Sequence, residues 1–145
     1  MSLYNVSAGL DPYWISGFTD GEGCFSVGLF RNKTMRLGFQ IQLEFCITQH
    51  KRDHSLLLLF PSFFGCGYVA PDGSNKFKFI VRDLSHLNSI VIPFFLAYPL
   101  RTTKSLDFQD FAAVAAMMSR GEHLTEQGLA KIQEIKSSMN RGRKC

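Results

Sequence analysis

Nowhere in the 145 residues do two cysteines stand close enough to form a CxxC pair. Cys24, Cys46, Cys66 and Cys145 are scattered, which excludes a zinc ribbon or a dithiol redox motif and points to a reducing compartment. No apolar stretch approaches the roughly 20 residues of a membrane span, and no basic-then-apolar leader opens the chain. A soluble intracellular protein is the expectation. Repeats and low-complexity tracts are also missing, and no linker breaks the sequence, so one unit over residues 1–139 is expected, followed by a basic flexible tail at 140–145. Acidic residues are fewer than basic ones, 12 against 16, giving a net charge of +4. That balance permits a polyanionic partner without demanding one, so the placement of the charges has to decide. With 46% hydrophobic residues the chain can bury a core of its own.

The run Trp14-Ile15-Ser16-Gly17-Phe18-Thr19-Asp20-Gly21-Glu22-Gly23 sets two carboxylates among glycines where a helix-compatible segment gives way to a strand. A carboxylate at a helix C-terminus faces the negative end of the macrodipole and unpaired carbonyl oxygens, which a bound cation would relieve. Carboxylate and carbonyl oxygens suit a hard ion such as Mg²⁺ or Ca²⁺. A glycine-terminated helix with solvated acids is the plainer reading of the same residues.

Asp11-Pro12 marks the start of that helix, predicted over Leu10 to Asp20. Leu37, Phe39, Ile41, Leu43, Phe45 and Ile47 alternate with more polar positions, and Phe25, Val27 and Leu29 do the same, predicting a long antiparallel hairpin over 24–47. A second hairpin runs from about Gly67 to Arg82 through a turn at Pro71-Asp72-Gly73-Ser74. Between them Arg52 to Phe60 carries a leucine run compatible with a helix or a buried strand, the helix being favoured, and a stop at Pro61 fits either. Further helices are expected from Asp83 to before Pro99, from Thr103 to Ser119 and from Thr125 to Met139. The order αββαββαα describes an α+β unit with a four-stranded antiparallel sheet, helices on one face and the other face open.

The open face would carry Ser26, Arg36, Gln40, Gln42, Glu44, Thr48, Tyr68, Lys76, Lys78 and Arg82. Glutamine can pair with adenine, arginine with guanine, and glutamate can accept from cytosine, while lysine and arginine meet phosphate. A solvated outer face is the alternative. His50 and His54 have helical metal-ligand spacing, but no neighbouring Glu or cysteine pair completes a zinc site.

These residues resemble the LAGLIDADG homing endonucleases, with Ile15 to Gly23 standing in for the nine letters of the name. Phe45-Cys46-Ile47-Thr48-Gln49-His50, Gly65-Cys66-Gly67-Tyr68-Val69 and Tyr98-Pro99-Leu100-Arg101-Thr102-Thr103-Lys104 resemble later family segments in the same order. The resemblance implies a saddle-shaped sheet lying in the DNA major groove. One motif per chain implies a homodimer joined through Ser16, Gly17 and Asp20, with Asp20 bracing the helix end. It also implies Mg²⁺-dependent hydrolysis of both strands of a long, partly palindromic site, leaving short 3′ overhangs, with Ca²⁺ binding but not supporting cleavage.

On this resemblance Glu22 is the metal-binding acid and the Gly21 carbonyl a second ligand. Gln49 positions water, and Lys104 is the basic residue near the scissile phosphate, with Arg101 and Thr102 as alternatives for that place. DNA-reading positions carry over to Asn32, Arg36, Gln40, Gln42, Lys76, Lys78 and Arg82, with Glu44, Thr48 and Tyr68 as additions. Intron-encoded, organellar expression in a chloroplast or mitochondrion is a further implication. The competing readings are an intron RNA maturase and a DNA-binding regulator that does not cut.

Overall fold

A computed structural model describes Asn5 and residues 9–140. Helix α1 (Pro12–Glu22) begins where Asp11 accepts hydrogen bonds from the backbone N–H groups of Tyr13 (2.9 Å) and Trp14 (3.1 Å), with Pro12 at a position whose missing N–H costs nothing. It runs two residues past the expected end at Asp20. Gly21 and Glu22 stay helical, and the break falls at Gly23, whose extended backbone donates its N–H to the Thr19 carbonyl and starts the first strand.

Strands β1 (Gly23–Arg31) and β2 (Phe39–His50) form the first hairpin, with Gly23 opposite Ile47 and Arg31 opposite Phe39. Its turn is closed by the Asn32 N–H on the Gly38 carbonyl at 2.9 Å, Gly38 taking φ +80°. Strands β3 (Tyr68–Asp72) and β4 (Lys76–Val81) form the second hairpin. Pro71 and Asp72 belong to β3 rather than to the turn, which lies over 73–75. Pro71 is tolerated there because β3 is an edge strand in the order β1-β2-β4-β3, antiparallel throughout.

Two short helices, α2 (His54–Leu57) and α3 (Leu59–Phe64), follow β2 after a 3₁₀ turn at Lys51–Asp53. Pro61 does not stop this helical stretch. It lies in the first turn of α3, where its missing N–H costs no intrahelical bond, and the stop comes at Gly65 with φ +72°. A similar accommodation follows β4. Between α4 (Leu84–His86) and α5 (Ile92–Ala97) the segment Leu87–Val91 widens to a π-helix just before Pro93. Helices α6 (Lys104–Ser119) and α7 (Glu126–Ser138) follow, so three helical segments, α4–α5, α6 and α7, come after the second hairpin, and Thr125 caps α7 by accepting the Gly128 N–H. The expected basic tail, apart from Asn140, lies outside the described residues.

The odd-numbered side chains of β1, β2 and β4 turn toward the helices and build a core of phenylalanines. Phe25 stacks on Phe45 with ring centroids 5.0 Å apart and meets Phe111 edge-on at 5.2 Å. Phe60, Phe63, Phe64, Phe79, Phe94 and Phe95 are also buried. Truncating such a ring costs about 3–5 kcal/mol. No helix covers the opposite face uniformly, yet it is not wholly polar. Cys24, Cys46 and Ile80 make a small buried apolar patch on it, with Ala70 packed alongside. At one end of the sheet α1 stops, β1 starts and β2 finishes.

Candidate active site and nucleic-acid interface

Helix α1 has no basic residue in its last turn. The missing cation is supplied from 81 residues away by Lys104, the first residue of α6. Its ammonium donates to the Thr19 carbonyl at 3.3 Å and to the Gly23 carbonyl, offsetting the negative end of the α1 dipole. Lys104 is held there because Asp20 grips the loop before α6. The carboxylate of Asp20 accepts from the Arg101 N–H at 2.8 Å, the Thr102 N–H at 3.2 Å and the Thr102 hydroxyl at 2.7 Å. Thr102 Oγ1 in turn accepts the Lys104 N–H at 3.2 Å. Asp20 thus ties the loop before α6 to the last turn of α1. Of the two alternatives to Lys104, Thr102 is committed to that tie.

Glu22, one turn from these contacts, is exposed and has no hydrogen-bond or ion-pair partner among the described residues. A cleft of about 340 Å³ opens beside it, lined by Gly21, Glu22, Gly23 and Lys104 on the helix side and by Thr48, Gln49, His50, Asp72 and Lys76 on the sheet side. Glu22, Gly21, Gln49 and Lys104, the residues singled out in the sequence for the chemistry, all line this one cleft. Gln49 stands opposite Phe77 on β4, and its carbonyl oxygen accepts the His50 N–H at 3.2 Å, leaving its amide hydrogens as the donor end. His50 uses Nδ1 to accept the Arg52 N–H at 3.1 Å, while His54 stacks on Phe77 at 4.0 Å, so the two histidines do not form a metal pair.

The donor chemistry fits a hard cation. Glu22 offers a carboxylate and the end of α1 offers carbonyl oxygens. No group of three or more His, Cys, Asp or Glu side chains stands together among the described residues. Mg²⁺ binds through one or two carboxylates while keeping several waters, and Glu22 is one carboxylate of that kind.

Ser16 and Gly17, both expected at a contact face of α1, lie on different sides of the helix. Ser16 is 4% exposed and its hydroxyl donates to the Tyr98 carbonyl at 2.5 Å, so it points into its own chain. The helical rotation of about 100° per residue puts Gly17, not Ser16, on the outer face. An added Cβ at Gly17 or Gly21 would meet no atom within 4 Å. Tyr13 and Trp14, 67% and 44% exposed, extend the same face. Tyr13, Gly17 and Gly21, spaced i, i+4, i+8, therefore share one outer side of α1.

On the sheet, Glu44, Tyr68, Lys78 and Arg82 lie together as one network. Arg82 Nε donates to Glu44 at 2.7 Å and Nη1 to Tyr68 Oη at 3.3 Å, while Lys78 Nζ is 3.8 Å from Glu44. The bond to Glu44 holds the Arg82 guanidinium even more firmly protonated. Burial, reinforced by Glu44, pushes the Cys46 thiol up to about 11. Asn32 donates to Gln40 at 3.0 Å at the tip of the first hairpin. Gln42, Thr48 and Lys76 have no side-chain partner among the described residues. Arg36 has a partner outside the sheet. Its guanidinium donates to the Leu124 carbonyl at 3.1 Å and so ties the hairpin tip to the turn between α6 and α7.

Comparison with known proteins places this geometry. Residues 15–115 match the family model described as LAGLIDADG endonuclease. The chain is 37% identical over 139 residues to a probable intron-encoded endonuclease 2 of Neurospora crassa, covering 94% of this chain and 31% of that protein. It is 34% identical over 143 residues to a probable intron-encoded endonuclease 3 of the same organism, covering 97% and 27%. The crystal structure of the homing endonuclease I-TnaI superposes with a TM-score of 0.88 at 48% identity, covering 92% of this chain and 90% of that one. The meganuclease I-SmaMI bound to uncleaveable DNA gives 0.89 at 37%, covering 92% and 46%. The chain spans about a third or less of the length of the curated relatives named here.

Proposed function

The chain belongs to the LAGLIDADG endonuclease family, and from that premise we propose that it is a site-specific endonuclease that cuts both strands of a long, partly palindromic duplex as a homodimer. The observation that carries this reading is Glu22. It is an exposed carboxylate without a partner among the described residues, at the end of a helix whose outer face is bare enough at Gly17 and Gly21 for a second copy to approach. Packing two such helices brings two Glu22 carboxylates to one axis, and residues 1–139 act as one endonuclease unit.

In this reading Glu22 and the Gly21 carbonyl hold Mg²⁺, with Ca²⁺ binding in its place without supporting cleavage. The ion supplies a Lewis acid and lowers the pKa of bound water. Lys104 keeps positive charge at the end of α1, within reach of a phosphate entering the cleft, and Gln49 orients water with its amide hydrogens. The cations and amides of the sheet hold the major groove, fixing where the scissile bonds lie, and the products carry short 3′ overhangs. Arg36 contributes by anchoring the first hairpin rather than by reading a base. An organellar, intron-encoded origin rests on relatives named as intron-encoded proteins, among them one in ND4 intron 1 of Podospora anserina.

A second arrangement has one supporting observation. This chain covers 46% of I-SmaMI, so the same unit also serves as one half of a longer protein. Selection of cleavable sites from a randomised duplex library, in Mg²⁺ and then in Ca²⁺, separates these readings. A nearly palindromic cut site supports the homodimer, and a strongly asymmetric one supports the half. Intron splicing without DNA cutting points to a maturase, and sequence-specific binding without any cut product to a DNA-binding regulator.

A further inference from the structure

The cations in the middle of the open face are already occupied. Glu44 sits opposite Ser26 of β1, and Arg82, just beyond β4, continues the ladder register opposite it. The Arg82 Nε–Glu44 bond of 2.7 Å and the 3.8 Å approach of Lys78 put two positive side chains on one carboxylate. Lys78 stands opposite Thr48, so its pair with Glu44 reaches past the rung of Cys46 and Ile80, which are 8% and 2% exposed. The network therefore lies beside apolar surface, where ion pairs are less screened than in open solvent.

Two consequences follow from that arrangement. Unpaired Arg and Lys side chains grip any phosphate, and this sequence-independent attraction competes with recognition of the correct site. Glu44 offsets part of it. With Nε on Glu44 and Nη1 steadied by Tyr68 at 3.3 Å, the guanidinium has a fixed orientation. The remaining Nη hydrogens are left for a ligand, and Arg82 keeps 41% of its side chain exposed. A planar fork so held suits N7 and O6 of guanine in the major groove.

We propose that Glu44 is a specificity-determining residue that reads no base itself, positioning Arg82 for a guanine while restraining Arg82 and Lys78 from indiscriminate phosphate contact. The role rests on the DNA-cutting reading above and replaces the sequence expectation that Glu44 accepts from cytosine. It makes affinity and discrimination move in opposite directions, which a merely structural residue does not do.

The test compares wild type, Glu44→Gln and Arg82→Ala on a randomised duplex library and on a duplex of random sequence over a salt series. Wild type enriches guanine at one position of each half-site. Arg82→Ala loses that preference, and Glu44→Gln weakens the same position roughly five- to hundredfold, the range of one bidentate base contact. Glu44→Gln also binds the random duplex more tightly, and its log–log salt slope steepens by about 0.9 for each freed cation that meets a phosphate. Loss in Glu44→Gln of a cytosine preference that Arg82→Ala retains overturns the proposal, as does weaker binding of Glu44→Gln to the random duplex. A wild type that enriches no sequence overturns the DNA-cutting reading itself, so the two failures are distinct.

Discussion

The hydroxyl of Thr102 donates to the carboxylate of Asp20 at 2.7 Å, and the Thr102 N–H donates to the same oxygen at 3.2 Å, across 82 positions of sequence. The pair hangs the loop before α6 on the end of α1, and Lys104 follows two residues later. Asp20→Ala removes an anionic acceptor of three bonds and is expected to lower unfolding stability by about 2 kcal/mol. Asp20→Asn, which keeps one acceptor oxygen, loses less. Urea unfolding checks the ranking, and single-turnover cleavage is expected to slow in the same order as Lys104 loses its place.

The glycines in and just after α1 divide into two kinds. A Cβ at Gly23 would lie 2.6 Å from Thr19 Cγ2 and 2.9 Å from the Thr19 carbonyl oxygen. Gly23→Ala is therefore expected to cost about 1–3 kcal/mol through overpacking, measurable as a lower urea midpoint. Gly17 has open space instead. Gly17→Leu is expected to keep the helical circular dichroism of the chain while shifting its sedimentation from dimer to monomer. A variant that sediments as wild type contradicts the packing of α1 against a second copy.

Cys46 and Cys66 are free thiols, and burial pushes each from 9.0 to about 11, the acids Glu44 and Asp83 adding to it. Because the folded state keeps these protons while the unfolded state releases them, stability is unaffected below pH 9 and falls as pH rises from 9 toward 11. The slope is about 1.4 kcal/mol per pH unit for each thiol. Urea midpoints at pH 8 and pH 10 measure it, and replacing both thiols with alanine is expected to flatten the dependence.

Strand alternation in Leu37 to Ile47 and the Asp11-Pro12 start were legible in the sequence because they rest on local periodicity and capping. What was not legible depended on rotation and distance. Ser16 and Gly17 are neighbours in sequence, yet one turns to the Tyr98 carbonyl and the other to the outside. Arg36 and Glu44 read as DNA contacts from their residue type, their place on the open face and the family resemblance, none of which shows their partners within the chain. Their partners, the Leu124 carbonyl and Arg82, lie 88 and 38 positions away. Pro61 reads as a stop, and only its place in the first turn of α3 makes it harmless. The Lys104 position was found by resemblance, whereas its carbonyl partners at Thr19 and Gly23 required the fold.

The central claim is that Glu22 does chemistry and is not a solvated acid. Its direct test sets wild type beside Glu22→Gln on a plasmid carrying the selected site in Mg²⁺, with binding to the same site measured by fluorescence anisotropy in Ca²⁺. The account predicts that cleavage falls by roughly 10²–10³-fold or more, the scale on which losing one preorganised electrostatic group slows a reaction, while affinity changes little. A Glu22→Gln protein that cuts both strands at the wild-type rate would contradict it.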